Sequence, residues 1–145
     1  DDGNAFVAAA KESGIIPALI AYGENIALSG ELCGPGIQGN KYNLVKKTWF
    51  IFDIFDVTKG EYLTVGEREK VIVKLCDLGA KFCTVPEIAQ RTLTGESLDS
   101  LLKMAEGKSV LNPKAEREGL VWKRTTDGNV SFKAISNRFL LKHDE

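Results

Sequence analysis

Histidine is almost absent: the chain has one in 145 residues. That residue, His143, stands at the fraying end of the sequence, which argues against imidazole catalysis and against a histidine-built metal centre. Cysteine is scarce too. Cys33, Cys76 and Cys83 are odd in number and lack the paired spacing of a zinc site or a dithiol redox motif, so they read as reduced thiols in or near the core. No apolar run approaches the roughly 20 residues that span a bilayer, and no basic, then apolar, secretion leader opens the sequence. The expectation is a cytoplasmic protein with no membrane partner. Neither sign of charge dominates: the net charge of −1 argues against broad nonspecific adhesion to nucleic acid. No internal repeat, low-complexity tract or long linker divides the chain, which reads as one unit.

What is present is an ordinary globular composition, 43% hydrophobic and 8% aromatic, which excludes disordered and collagen-like classes. Asn4 is placed to cap a helix running to about Ser13, with Phe6, Val7 and Ala10 inward and Gly14 as its stop. Ile26 to Leu32 and Lys47 to Val57 read as strands, Glu61 to Leu63 as a short approach strand, and Phe82 to Val85 as a short strand before Pro86. Val65 to Leu78 reads as a helix with Val71, Ile72, Leu75 and Leu78 on one side, ended by Gly79. Ser97 to Ala105 reads as a second, carrying Leu98, Leu101, Leu102 and Met104. Strands interleaved with helices predict an α+β (mixed α/β) domain on antiparallel sheet.

The last fifth of the chain carries the most chemistry. Glu118 to Lys123 and Ser131 to Phe139 are strand-like runs on either side of the turn signal Asp127-Gly128-Asn129, so they predict a β-hairpin. Each run holds one charged side chain of interest. Glu118 heads its strand, and Lys133 lies between Phe132 and Ala134, so period-two alternation turns it away from those apolar neighbours. A carboxylate and an ammonium close together can hold a hard dication and a phosphoryl group in one place; a simple salt bridge of Glu118 with Lys133 or Arg117 uses the same residues. From Lys103 to Lys142 the bases Lys103, Lys108, Lys114, Arg117, Lys123, Arg124, Lys133, Arg138 and Lys142 outnumber Glu106, Glu116, Glu118 and Asp127. Such a bias suits a phosphate-rich partner, and a solvated surface accounts for it as well.

Four elements, in this order, resemble the covalent nucleotidyltransferases, the group of ATP-dependent DNA and RNA ligases and mRNA capping enzymes. Ser29-Gly30-Glu31-Leu32-Cys33-Gly34-Pro35-Gly36-Ile37-Gln38-Gly39-Asn40 is similar to the Gly-Glu element in its RNA-ligase form. Trp49-Phe50-Ile51-Phe52-Asp53-Ile54 is similar to the aromatic Phe-Asp element. Glu118-Gly119-Leu120-Val121 and the strand bearing Lys133 match the two closing elements. The chain resembles an ATP-dependent RNA ligase, nearest the Deinococcus type, from about Ile26 to Lys142. The resemblance implies an ATP-grasp-like, antiparallel-sheet nucleotidyltransferase fold, with ATP and Mg2+ (or Mn2+) as cofactors and RNA or an RNA-containing nicked duplex as partner. It implies Glu118 on the metal, Lys133 on the α-phosphate, Glu31 on a ribose hydroxyl or supporting the metal, and Phe52 stacked on adenine. Gln38, Asn40 and Arg138 become candidates for nucleic-acid contact. Alternation along the strand puts Phe50, Phe52 and Ile54 on one face and Trp49, Ile51 and Asp53 on the other, so Trp49 is the fallback for stacking. Many relatives carry a second lysine two residues after Lys133; here Ile135 stands there.

The family's nucleophile, a lysine in a Lys-x-Asp-Gly element upstream of the Gly-Glu element, is missing. Asp1-Asp2-Gly3 has no lysine before it, and Lys11 falls on a helix. Residues 1–145 therefore read as the C-terminal part of a single nucleotidyltransferase domain that belongs to a longer ligase. The function expected is sealing of 5′-phosphate and 3′-hydroxyl ends through lysyl-adenylate and AMP-capped strand intermediates, as in RNA repair, with this chain inactive alone in self-adenylylation. A non-catalytic nucleotide- or RNA-binding module is the alternative, and a capping guanylyltransferase a further one.

Overall fold

The computed structural model describes residues 4–143, of which His143 is followed only in its backbone. Asp1-Asp2-Gly3 lies outside the described residues. Although the sequence shows no linker, the chain groups into two compact units, Asp1–Val85 with Arg124–Val130, and Pro86–Lys123 with Ser131–Glu145.

In the first unit, α1 (Ala5–Glu12) starts where Asn4 accepts the Phe6 N–H at 2.8 Å, the capping expected of an asparagine in that place. Its buried residue is Ala9, whereas Phe6 is 51% exposed and Val7 38%, so the inward face is not the one the apolar pattern suggested. Gly14, with φ 67°, ends α1 and leads directly into α2 (Ile15–Tyr22). The sequence reading has no helix there. Pro17 falls in the first turn, where a missing N–H costs nothing, and Ile15 and Ala18 enter the core.

β1 (Ile26–Cys33) and β2 (Thr48–Asp56) form a long antiparallel pair, extended by β3 (Glu61–Tyr62). β4 (Cys83–Thr84) joins β2 in parallel, so the sheet is mixed at this strand rather than wholly antiparallel. α3 (Val65–Asp77) opens with a capping box: Thr64 Oγ1 accepts from Glu67 N, and Glu67 returns a carboxylate to Thr64 N at 2.9 Å. Those bonds hold the Glu67 carboxyl below the usual range, the Thr64 hydroxyl first among the causes. Val71 and Leu75 of α3 meet Ile15, Ala18, Ile54 and Ala80 in the core, while Leu78 is 43% exposed and Ile72 lies at the margin. Each fully buried aliphatic side chain there contributes about 1.5–3 kcal/mol.

The second unit is built on α4 (Leu98–Ala105), the hairpin β5 (Gly119–Lys123) and β6 (Ser131–Ile135), and α5 (Asn137–His143). Ser97 caps α4 by accepting from Ser100 N at 3.2 Å. α4 packs on both hairpin strands, burying Ala105 and Ala134, and Trp122 and Phe132 stack across the strands at 6.0 Å. The predicted second strand stops four residues early. Buried Ser136 turns the chain into α5 by accepting the Phe139 N–H on its hydroxyl at 3.3 Å, so Ser136 to Phe139 is a capped helix start. Among the described residues no single helix is long and apolar enough to cross a membrane.

Candidate active site

The hairpin register places Gly119 opposite Ile135 and Val121 opposite Lys133. Glu118 lies just before β5, and its Oε1 accepts from the Lys133 ammonium. The two residues the sequence singles out are therefore in direct contact. Neither is buried: Glu118 is 45% exposed and Lys133 48%. Gly119 allows the strands to meet at this point, since a Cβ there would stand 2.1 Å from Ala134 O. Ile135, in place of the family's second lysine, lies two residues along β6 from Lys133 and on the same face.

In the first unit, Glu31 lies near the end of β1, opposite Phe50, with its side chain exposed. The preceding Gly30 is another position without room, because a Cβ would come within 2.7 Å of Phe50 O. Burial, and after it the nearby Glu31 carboxylate, raises the Cys33 thiol to about 11. Cys76 and Cys83 are exposed, not in or near the core.

The Gly-rich loop then makes a left-handed turn, with φ positive at Gln38, Gly39 and Asn40 in succession, a conformation uncommon outside glycine. Asn40 locks it: its amide donates to Leu44 O at 2.9 Å and accepts from Leu44 N at 3.0 Å. Gln38 is left on the exposed outside of the turn.

Phe52 sits at a β-bulge. Ile51 is opposite Gly30 and Asp53 opposite Ser29, so Phe52 is the extra residue of β2. The bulge breaks the period-two reading: Phe50, Ile51 and Ile54 are all buried, and Phe52 is 38% exposed. Trp49 packs on the core and on Phe6, with ring centroids 5.8 Å apart. Of the two stacking candidates, Phe52 is thus the one on the surface.

Sequence reasoning missed two supports. Arg68 of α3 donates to Phe52 O at 2.7 Å and lies 3.9 Å from the Asp53 carboxylate. Arg117, weighed only as a partner for Glu118, instead donates to three carbonyls at the end of α4. A cation just before the candidate glutamate was the available signal. Arg138 is on α5, not on a strand, and its Nε lies 3.1 Å from Glu106. Lys108 likewise pairs with Glu116, holding that carboxyl below its usual range. Three of the basic residues between Lys103 and Lys142 thus meet the three glutamates of that stretch.

Among the described residues no group of three or more His, Cys, Asp or Glu is arranged to hold a metal. Glu118, exposed and already in contact with a cation, fits the single-carboxylate role, in which Mg2+ or Mn2+ takes its other ligands from phosphate and water. A cleft of about 220 Å3 in the first unit, floored by Ile26, Leu63 and Val71, is lined by none of Glu31, Gln38, Asn40 or Phe52. Its lining mixes lysines with Glu24, Asp56 and Glu67, of which Glu67 serves the α3 capping box and Asp56 accepts from Lys59 N.

The RNA ligase family model matches residues 2–135. No curated protein matches the chain. Solved structures of a Naegleria gruberi RNA ligase are similar to it. The ligase with PPi is 41% identical with a TM-score of 0.90, and the match covers 97% of this chain and 41% of that one. A lysine-to-alanine mutant with ATP and Mn is 41% identical with a TM-score of 0.91, over the same shares of the two chains. A glutamate-to-alanine mutant with AMP and Mn is 41% identical with a TM-score of 0.90, again over 97% and 41%. The chain thus spans 41% of the length of these relatives.

Proposed function

The chain belongs to the RNA ligase family, and from that premise we propose that it works within an ATP-dependent RNA ligase that seals 5′-phosphate and 3′-hydroxyl ends in RNA or an RNA-containing nicked duplex. In this reading a lysine attacks the α-phosphate of ATP and pyrophosphate leaves, the AMP passes from that lysine to the 5′-phosphate, and the 3′-hydroxyl attacks this phosphate and displaces AMP. These residues supply nucleotide, phosphate and metal contacts and not the nucleophile, since no Lys-x-Asp-Gly element occurs among them. We place the enzyme in the cytoplasm, in RNA repair.

The contact between Glu118 and Lys133 is the observation that carries the reading. A phosphoryl group in transfer spreads negative charge over its oxygens, and catalysis consists mainly of positioning it and compensating that charge. Lys133 brings an ammonium that can leave a half-exposed pair for a phosphate oxygen at little cost, since such surface pairs are worth about 0–1 kcal/mol. Glu118, released, offers its carboxylate to a divalent ion, which when bound neutralises phosphate charge. In the first unit, Phe52 offers an exposed ring for the adenine and Glu31 a carboxylate for a ribose hydroxyl, while Gln38 and Asn40 there, and Arg138 in the second unit, are assigned to the nucleic acid. The Naegleria structures carry ATP, AMP and Mn, the ligand classes this assignment needs.

The test is the intact mass of the full-length gene product after incubation with ATP and Mg2+, beside these 145 residues treated alike. A gain of one AMP by the full-length product alone is expected. No gain by either leaves a non-catalytic nucleotide- or RNA-binding module as the function.

A further inference from the structure

The last carbonyls of a helix have no donor within the helix and carry the negative end of its dipole. At the end of α4, Arg117 serves three of them at once. Its Nε donates to Ala105 O at 2.9 Å, and its Nη2 to Met104 O at 2.5 Å and Glu106 O at 2.7 Å. The Arg117 backbone N–H donates to Gly107 O at 2.9 Å, and the Glu118 carbonyl accepts from Ser136 N at 2.8 Å. Ser136 is fully buried. Gly107, at φ 137°, is where a Cβ would come within 3.4 Å of the guanidinium. The backbone that carries Glu118 is therefore held to the helix end on one side and to the β6–α5 junction on the other.

We propose that Arg117 is a positioning residue for Glu118, fixing its carboxylate where Lys133 and a divalent ion meet it. This rests on the reading of Glu118 as the metal contact. A guanidinium reaches three carbonyls because its N–H groups diverge in one rigid plane, whereas a lysine ammonium is a point charge on a flexible stem. Arg117→Lys therefore keeps the charge at the helix end and gives up the geometry.

The experiment compares full-length wild type with Arg117→Lys, Arg117→Gln, Glu118→Ala and the Arg117→Lys/Glu118→Ala double variant. Mn2+ binding beside a non-hydrolysable ATP analogue is read from the loss of the free-ion electron paramagnetic resonance signal, and thermal midpoints are recorded alongside. Both Arg117 variants should stay folded and weaken Mn2+ binding about tenfold, as loss of a ligand-orienting contact does. The double variant should bind no worse than Glu118→Ala alone. Effects that multiply in the double variant overturn the proposal, as does unaltered Mn2+ affinity in a folded Arg117→Lys protein. Loss of folding in both Arg117 variants overturns it too, by making the residue purely structural. Full Mn2+ affinity in Glu118→Ala removes the metal reading of Glu118 itself, and the positioning role with it, whatever the Arg117 variants do.

Discussion

The Lys133 ammonium contacts the Glu118 carboxylate although the two residues are not partners in the ladder, since Lys133 faces Val121 and Glu118 precedes the strand. The pair is thus made by side-chain reach from a fixed backbone. Glu118→Ala and Lys133→Ala should each abolish sealing by the full-length enzyme. A half-exposed pair contributes only about 0–1 kcal/mol to stability, so thermal midpoints should barely move. Near-normal sealing by either variant would reject the assignment.

Gly119 answers differently to change. With Ala134 O 2.1 Å from the place a Cβ would occupy, Gly119→Ala must push the two strands apart. A loss of roughly 1–3 kcal/mol is expected in denaturant unfolding, in the range of overpacked sites. Amide exchange should quicken along β5 and β6 and stay unchanged in α3.

Phe52 and Trp49 should separate binding from folding. Phe52→Ala should weaken ATP binding about tenfold, the scale of one lost base–aromatic stack, with the unfolding midpoint held. Trp49→Ala should cost about 3 kcal/mol of stability, toward the lower end for a core aromatic. Isothermal titration and chemical denaturation on both variants check this, and the reverse pattern would move the stacking role to Trp49.

Cys33 predicts a pH window. Its thiol is raised from 9.0 to about 11 by burial and then by Glu31, so the folded state favours the neutral form. A raised value means that this contribution to stability is whole below pH 9 and is lost as pH rises toward 11. Cys33→Ser should flatten that alkaline fall in the midpoint. Iodoacetamide at pH 8 should label exposed Cys76 and Cys83 well before Cys33.

The parts of the fold written in local chemistry were legible in the sequence. Asn4 announced α1, Gly79 announced the end of α3, and the turn around Asp127 announced the hairpin that joins Glu118 to Lys133. α2 was missed because an apolar run containing Pro17 offers no polar face to reveal its period. The faces of β2 were misassigned because a bulge leaves no mark in residue types, and only the shift between Ser29 and Gly30 exposes it. Ser136 was read as strand because it directly continues the strand-like run from Ser131 to Ile135, although its hydroxyl is what starts α5. The Arg117 clamp needed three dimensions, because its acceptors are backbone atoms eleven to thirteen residues away.

The bulge at Phe52 also bears on how such a chain can diverge. Its neighbours Ile51 and Ile54 are locked into the interior, and an insertion or deletion along β2 would turn core residues outward. Position 52 stands apart from that bookkeeping. A substitution there can change the size and polarity of this outward side chain while the strand keeps its pairing, so that, if Phe52 meets the adenine as proposed, the grip on the base can be altered without the scaffold being rebuilt.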